Sequence, residues 1–185
     1  VTGGLLVQDA DLALYGAKAD GRRTYRFFEA GMDERARARR KLELDLRQAI
    51  VDGDLEVHFQ PIVDIESGRI NCCEALLRWQ HSERGMIPST EFIPIAEDSG
   101  LIIPITIWIL KETCTRLARW QKISPAYKDM IVSVNISGKH LMHGDLIADV
   151  EHALEMSKLS PSSLKLEITE SVAMENADHT INVLN

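Results

Sequence analysis

A carboxylate and a guanidinium stand four residues apart in the apolar run Glu74-Ala75-Leu76-Leu77-Arg78-Trp79. Side chains alternate along a strand with period two, so Glu74, Leu76 and Arg78 share one face and Ala75, Leu77 and Trp79 the other. One face then offers a hard oxygen ligand for a cation beside a planar donor fork for phosphate, while the other packs on a helix layer. That combination suits chemistry on a phosphate ester. A structural ion pair between Glu74 and Arg78 is the plainer alternative, because a buried carboxylate or guanidinium is costly unless paired.

Three further segments repeat the alternation. Gln60-Pro61-Ile62-Val63 closes a run in which Glu56, His58 and Gln60 oppose Val57 and Phe59. In Ile131 to Ser137, Ser133, Asn135 and Ser137 oppose Val132, Val134 and Ile136, and in Leu164 to Glu170, Glu167 and Thr169 oppose Leu166 and Ile168. An antiparallel sheet wetted on one face would alternate in the same way. Helical segments lie between the later strands, however, and argue for parallel pairing through right-handed crossovers. In a parallel barrel, polar residues at the C-terminal strand ends mark an active site.

These residues resemble the EAL family of cyclic di-GMP phosphodiesterases. The matching pieces, in the family's order, are Gln60 to Val63, Glu74 to Trp79, Phe92-Ile93-Pro94-Ile95-Ala96-Glu97, Ser133 to Ser137 and Glu167-Ile168-Thr169-Glu170, within about residues 42–185. The resemblance implies metal ligation by Glu74, Asn135 and Glu167, dinucleotide binding by Gln60 and Arg78, and a pocket wall at Leu76. Glu170 is placed behind these ligands. Oxygen and amide donors suit Mg2+ or Mn2+ rather than thiophilic ions, and two such ions would assist phosphodiester hydrolysis to linear pGpG.

The fold expected is α/β: a truncated TIM-type (β/α) barrel whose first strand is antiparallel, preceded by the terminal helix and strand of an α/β cyclase domain. Residues 1–30 are similar to the C-terminal end of a GGDEF diguanylate cyclase domain, with an amphipathic helix up to Gly21 and a short strand from Thr24 to Phe28. In that family the positions of Lys18 and Arg22 contact the triphosphate of GTP; a solvated basic pair is the plainer account. The two-glycine signature turn with its acidic residues is absent from this sequence, so no cyclase activity is expected of it. Residues 31–41 are expected to form a helical linker, and 42–185 the N-terminal half of the EAL domain. The family's paired aspartates, general-base lysine, late glutamate and glutamine would follow Asn185, and a full barrel takes about 250 residues. No catalytic general base is therefore assigned. Made alone, this segment is expected to self-associate as a homo-oligomer through an open sheet edge and to be inactive.

Composition narrows the partners. The connector is basic at Arg35, Arg37, Arg39, Arg40 and Lys41, but Glu34, Glu43 and Asp45 are interleaved and the net charge is −7, which argues against nucleic acid. With 45% hydrophobic and 26% charged residues the chain can bury a core. Cys72, Cys73 and Cys114 read as reduced core residues of a cytoplasmic protein. Any membrane anchorage, at the inner membrane, would come from upstream segments, since the apolar run Leu101–Leu110 is broken by Pro104 and too short to span a bilayer. His140 and His143 are expected at the surface of a polar turn. The elements expected are strands near Glu56–Ile65 and Ile70–Trp79 joined as a hairpin, an irregular lobe over Phe92–Gly100, and a helix near Ile105–Gln121 burying Leu110, Leu117 and Trp120. The Asn135 strand, a helix near Leu146–Ser157 and the Glu167 strand complete the order. Three readings result: a phosphodiesterase, a degenerate EAL module that binds cyclic di-GMP without cleaving it, or a fragment without function.

Overall fold

The computed structural model describes residues 3–19, 24–29 and 31–168. Its elements are α1 (Gly3–Ala19), α2 (Met32–Asp52), β1 (Leu55–Val63), β2 (Ile70–His81), β3 (Gly85–Ile87), α3 (Ser89–Ser99), α4 (Ile102–Ile123), β4 (Ile131–Ile136), α5 (Gly138–His143), α6 (Leu146–Ser157) and β5 (Leu164–Ile168). The chain divides into two compact units, Val1–Asp45 and Leu46–Asn185. In the first, Ala13, Ala17, Met32 and Leu42 are buried. The strand expected from Thr24 to Phe28 is not formed: residues 24–29 carry no regular structure. A strand needs a neighbour for its backbone groups, and the described part of this unit contains only helices. The Tyr25 and Phe27 rings instead meet edge to face at 5.6 Å, both exposed.

In the second unit β1 and β2 form the expected antiparallel hairpin, Gln60 standing opposite Glu74. β2 and β4 run parallel, as do β4 and β5, in the order β1-β2-β4-β5, with β3 antiparallel to β2. The hydrophobic alternation explains how this mixed sheet lies. Cys73, Ala75, Leu77 and Trp79 are buried while Cys72, Glu74, Leu76 and Arg78 are half-buried, so one face of β2 packs and the other stays open. Against the packed face lies α4, whose Ile102, Ile105, Thr106, Ile109, Leu110, Thr113, Cys114 and Leu117 recur at helical spacing and are buried.

Three local expectations are corrected, and one short strand is added. The lobe over Phe92–Gly100 is the helix α3, which tolerates Pro94 because that residue lies on its exposed side, where solvent can take the carbonyl left without a donor. The helix ends at Gly100, whose φ of 79° only glycine adopts readily. Trp120 is half-buried rather than buried, its ring set edge-on to Phe59 at 4.7 Å. His140 is fully buried, and its Nε2 lies 2.8 Å from Asp149 Oδ2; the carboxylate from α6 supplies the partner that lets an imidazole leave water. β3 escaped the pattern altogether, being three residues long and set by the turn in which buried His81 Nδ1 accepts from the Glu83 and Arg84 amides.

No cysteine is in a disulfide. Burial pushes the Cys114 thiol up to about 11, and burial is also the main cause raising Cys72 and Cys73. The thiolate is the reactive form. Alkylation of the native protein at pH 8 is expected to modify half-exposed Cys72 first and Cys114 only after unfolding. Peptide mapping showing Cys114 labelled as fast as Cys72 would contradict this packing.

Candidate active site

β2 changes partner along one edge, and the site opens where it does. Its pairing with β4 ends at Ala75 and its pairing with β3 begins at Trp79. Beside the stretch between them lies a cleft of about 360 Å³. Leu76 and Arg78 from β2, Asn135 from β4 and Glu167 from β5 all line it. Sequence reading sets Leu76 and Arg78 on one face of their strand and Asn135 and Glu167 on the polar faces of theirs; the structure brings the four to one cavity. Its wall is completed by Ile93 and Glu97 of α3, Ile105 and Ile109 of α4, and Ser137. An apolar wall with few polar groups is what a ligand pocket needs.

Glu74 lies one turn of the pleat below this opening. Its Oε1 accepts a hydrogen bond from Asn135 Nδ2 at 2.7 Å, across the boundary between β2 and β4. That orientation leaves Asn135 Oδ1 and Glu74 Oε2 free as oxygen donors. Glu167 stands directly beside Asn135 in the parallel register. The Lys165 ammonium donates to Glu167 Oε1 at 2.9 Å and chiefly by that bond holds the carboxyl below its usual range. The nearby Ser133 hydroxyl is buried and meets no hydrogen-bond partner. Glu167 raises Lys165 in return.

The structural ion pair between Glu74 and Arg78 is not formed. Glu74 is engaged by Asn135, and Arg78 Nη1 donates to the carbonyl of its neighbour Leu77 at 2.9 Å. Since this bond engages Nη1, the guanidinium keeps other donors for a ligand. Gln60 is exposed on β1, on the same sheet face as its register partner Glu74 but outside the cleft lining. Among the described residues no three His, Cys, Asp or Glu side chains gather around a cation position. Glu74, Asn135 and Glu167 offer two carboxylates and a carboxamide, hard oxygen donors of the kind that could hold a magnesium-like ion. Glu170 and Arg22 lie outside the described residues, as does the side chain of Lys18.

A family model described as EAL domain matches residues 43–185. The chain belongs to the EAL domain family. Over 179 residues it is 40% identical to the bifunctional diguanylate cyclase/cyclic di-GMP phosphodiesterase MucR of Pseudomonas aeruginosa, covering 97% of this chain and 26% of that protein. It is 36% identical, again over 97% of its length, to the cyclic di-GMP phosphodiesterase NbdA of the same organism, of which it covers 23%. The solved structure of the PaMucR phosphodiesterase in complex with c-di-GMP matches with a TM-score of 0.74 at 40% identity, over 78% of this chain and 57% of that one. The chain thus spans about a quarter of these curated relatives and somewhat over half of the solved one.

Within this EAL segment, sequence reasoning sets Ser137 on the Asn135 face and Glu97 in a motif but gives neither a role, and it passes over Lys139. Glu97 belongs to a motif already singled out, but its partner Ser137 is forty residues away in sequence. Local spacing carries no signal of such a contact.

Proposed function

We propose that this EAL segment forms part of a phosphodiesterase that opens cyclic di-GMP to the linear dinucleotide. The observation that carries the reading is the convergence of Leu76, Arg78, Asn135 and Glu167 on one cleft, with Glu74 tied to Asn135 at its edge. Glu74, Asn135 and Glu167 would hold Mg2+ or Mn2+. Such an ion, when bound, would activate water and neutralise charge at the phosphate. Arg78 clamps a phosphate oxygen, Gln60 holds the dinucleotide from β1, and Leu76 gives the pocket an apolar wall. Support also comes from the relatives, since MucR and NbdA are both named as cyclic di-GMP phosphodiesterases.

The test is conversion of cyclic di-GMP to pGpG by the full gene product with Mg2+ or Mn2+ and its loss on chelation. One contact favours a second reading, in which the domain binds the dinucleotide without cleaving it: Lys165 already places a cation on Glu167. Saturable binding with no turnover at any metal concentration would select that reading. Under either, Arg78→Ala should weaken dinucleotide binding by about 1.5–3 kcal/mol, the usual cost of losing a charge-assisted hydrogen bond. Metal affinity should barely move, and calorimetry showing unchanged nucleotide affinity would remove Arg78 from the site.

Residues 1–30 read best as the end of a GGDEF domain, with Lys18 and Arg22 at former GTP-phosphate positions. The similarity to MucR, a protein named in part for diguanylate cyclase activity, takes in most of the stretch before residue 43. The three unpaired thiols suit a reducing, cytoplasmic compartment.

A further inference from the structure

We infer that Glu97 is a positioning residue for the metal-ligand strand, acting through Ser137. The inference rests on the phosphodiesterase reading above. Ser137 follows Asn135 by two residues and caps the N-terminus of α5, its Oγ accepting from the Lys139 amide at 3.2 Å. The same hydroxyl donates to Glu97 Oε1 at 2.8 Å. A hydroxyl has one proton to give, so the carboxylate fixes its rotor and leaves its lone pairs for the cap. A second tie runs the other way. Lys139 Nζ donates to the Glu97 carbonyl at 2.6 Å, which also takes the Gly100 amide at 3.2 Å, and to the Asp98 carbonyl at 3.3 Å, at the C-terminal end of α3 where a cation is favoured. The end of α3 and the start of α5 are thereby latched together, and β4 enters that latch directly from Asn135.

The latch sits at the site rather than behind it. Glu97, Ser137 and Gly138 line the same cleft as Asn135 and Glu167. Asn135 itself is exposed and held by a single side-chain hydrogen bond, to Glu74. Its placement therefore depends on where the backbone of β4 ends, and Ser137 is the first anchored side chain beyond it on the same side. Glu97 touches neither Glu74 nor Asn135 through any hydrogen bond. Its effect passes through the Ser137 hydroxyl, and so differs from that of a ligand.

The experiment measures Mn2+ affinity by calorimetry in the full gene product, alongside turnover at increasing Mn2+. Glu97→Ala is expected to weaken Mn2+ binding about tenfold, the low end of what partners that orient ligands contribute. Its turnover should recover at high Mn2+, because the ligands themselves remain. Glu97→Gln keeps an oxygen that accepts from Ser137 and should stay close to wild type. Ser137→Ala, which also removes the cap on α5, should lose at least as much, and the double variant should be no worse than Ser137→Ala alone, since the Ser137–Glu97 contact is lost only once. Unchanged Mn2+ affinity in Glu97→Ala, additive losses in the double variant, or a loss in Glu97→Gln equal to that in Glu97→Ala would each overturn the assignment. A wild-type protein that binds no Mn2+ would instead overturn the phosphodiesterase reading, and this inference with it.

Discussion

Glu74→Ala in the full gene product is expected to lower cyclic di-GMP turnover by more than ~100-fold, beyond the 10–100-fold range seen for residues that merely orient metal ligands. Two losses combine at this position. The variant removes a carboxylate oxygen from the donor set, and it removes the acceptor that holds Asn135 at 2.7 Å. High Mn2+ should not restore activity, in contrast to Glu97→Ala, because a missing ligand cannot be compensated by mass action on a site that no longer has the right charge. Glu74→Gln keeps an oxygen in place without the negative charge and should fall between. Stability should drop by only about 1 kcal/mol, the worth of one hydrogen bond, since Asn135 is exposed and can turn to water. Steady-state assays with thermal melts separate the two effects. Turnover within a few fold of wild type would remove Glu74 from the ligands.

How much of this was legible in advance depended on how local the cause was. The faces of β2 follow from alternation alone, because the residues that read as inward are the buried ones and the tilt of the run does not matter. The hairpin was legible for the same reason: two alternating runs flank a short Asp64–Arg69 turn, where Asp64 accepts from the Ser67 amide. α4 and α6 carried strong helical spacing. α3 did not: Pro88 and Pro94 disfavour a helix by residue type, although Pro88 stands at its N-cap and Pro94 on its wet side. His140 looked like a surface residue since its neighbours are polar; its burial depends on Asp149, which belongs to the next helix. The site was visible as residue types on strands, and four of its six members do share the cleft. The change of β2 partners that opens it was invisible, for it depends on where β4 stops and β3 starts. Glu97 stands in a recognisable motif, but its partner comes from a strand end forty residues on, and local spacing carries no sign of it.

Trp79→Ala should be the most destabilising single change near the site. Trp79 is 1% exposed, and its ring meets Phe92 of α3 nearly perpendicular, 85° at 5.6 Å, with His81 on its other flank at 5.5 Å. Truncating a buried Trp to Ala typically costs about 3–5 kcal/mol, part transfer and part cavity. A domain with about 5–15 kcal/mol in hand loses a large share of it. Urea denaturation followed by circular dichroism should show the midpoint fall, whereas Trp79→Phe should cost less by refilling most of the space. Phe92→Ala should not add fully to Trp79→Ala, because the edge-to-face contact is lost only once; a coupling of about 0.5–1.5 kcal/mol is expected. A loss under 1 kcal/mol in Trp79→Ala would contradict the packing described here. The consequence for the site follows from the alternation: Trp79 is the next residue after Arg78 and points the opposite way. Its seat between the sheet and α3 holds the end of β2 in place, and so fixes where the guanidinium enters the cleft.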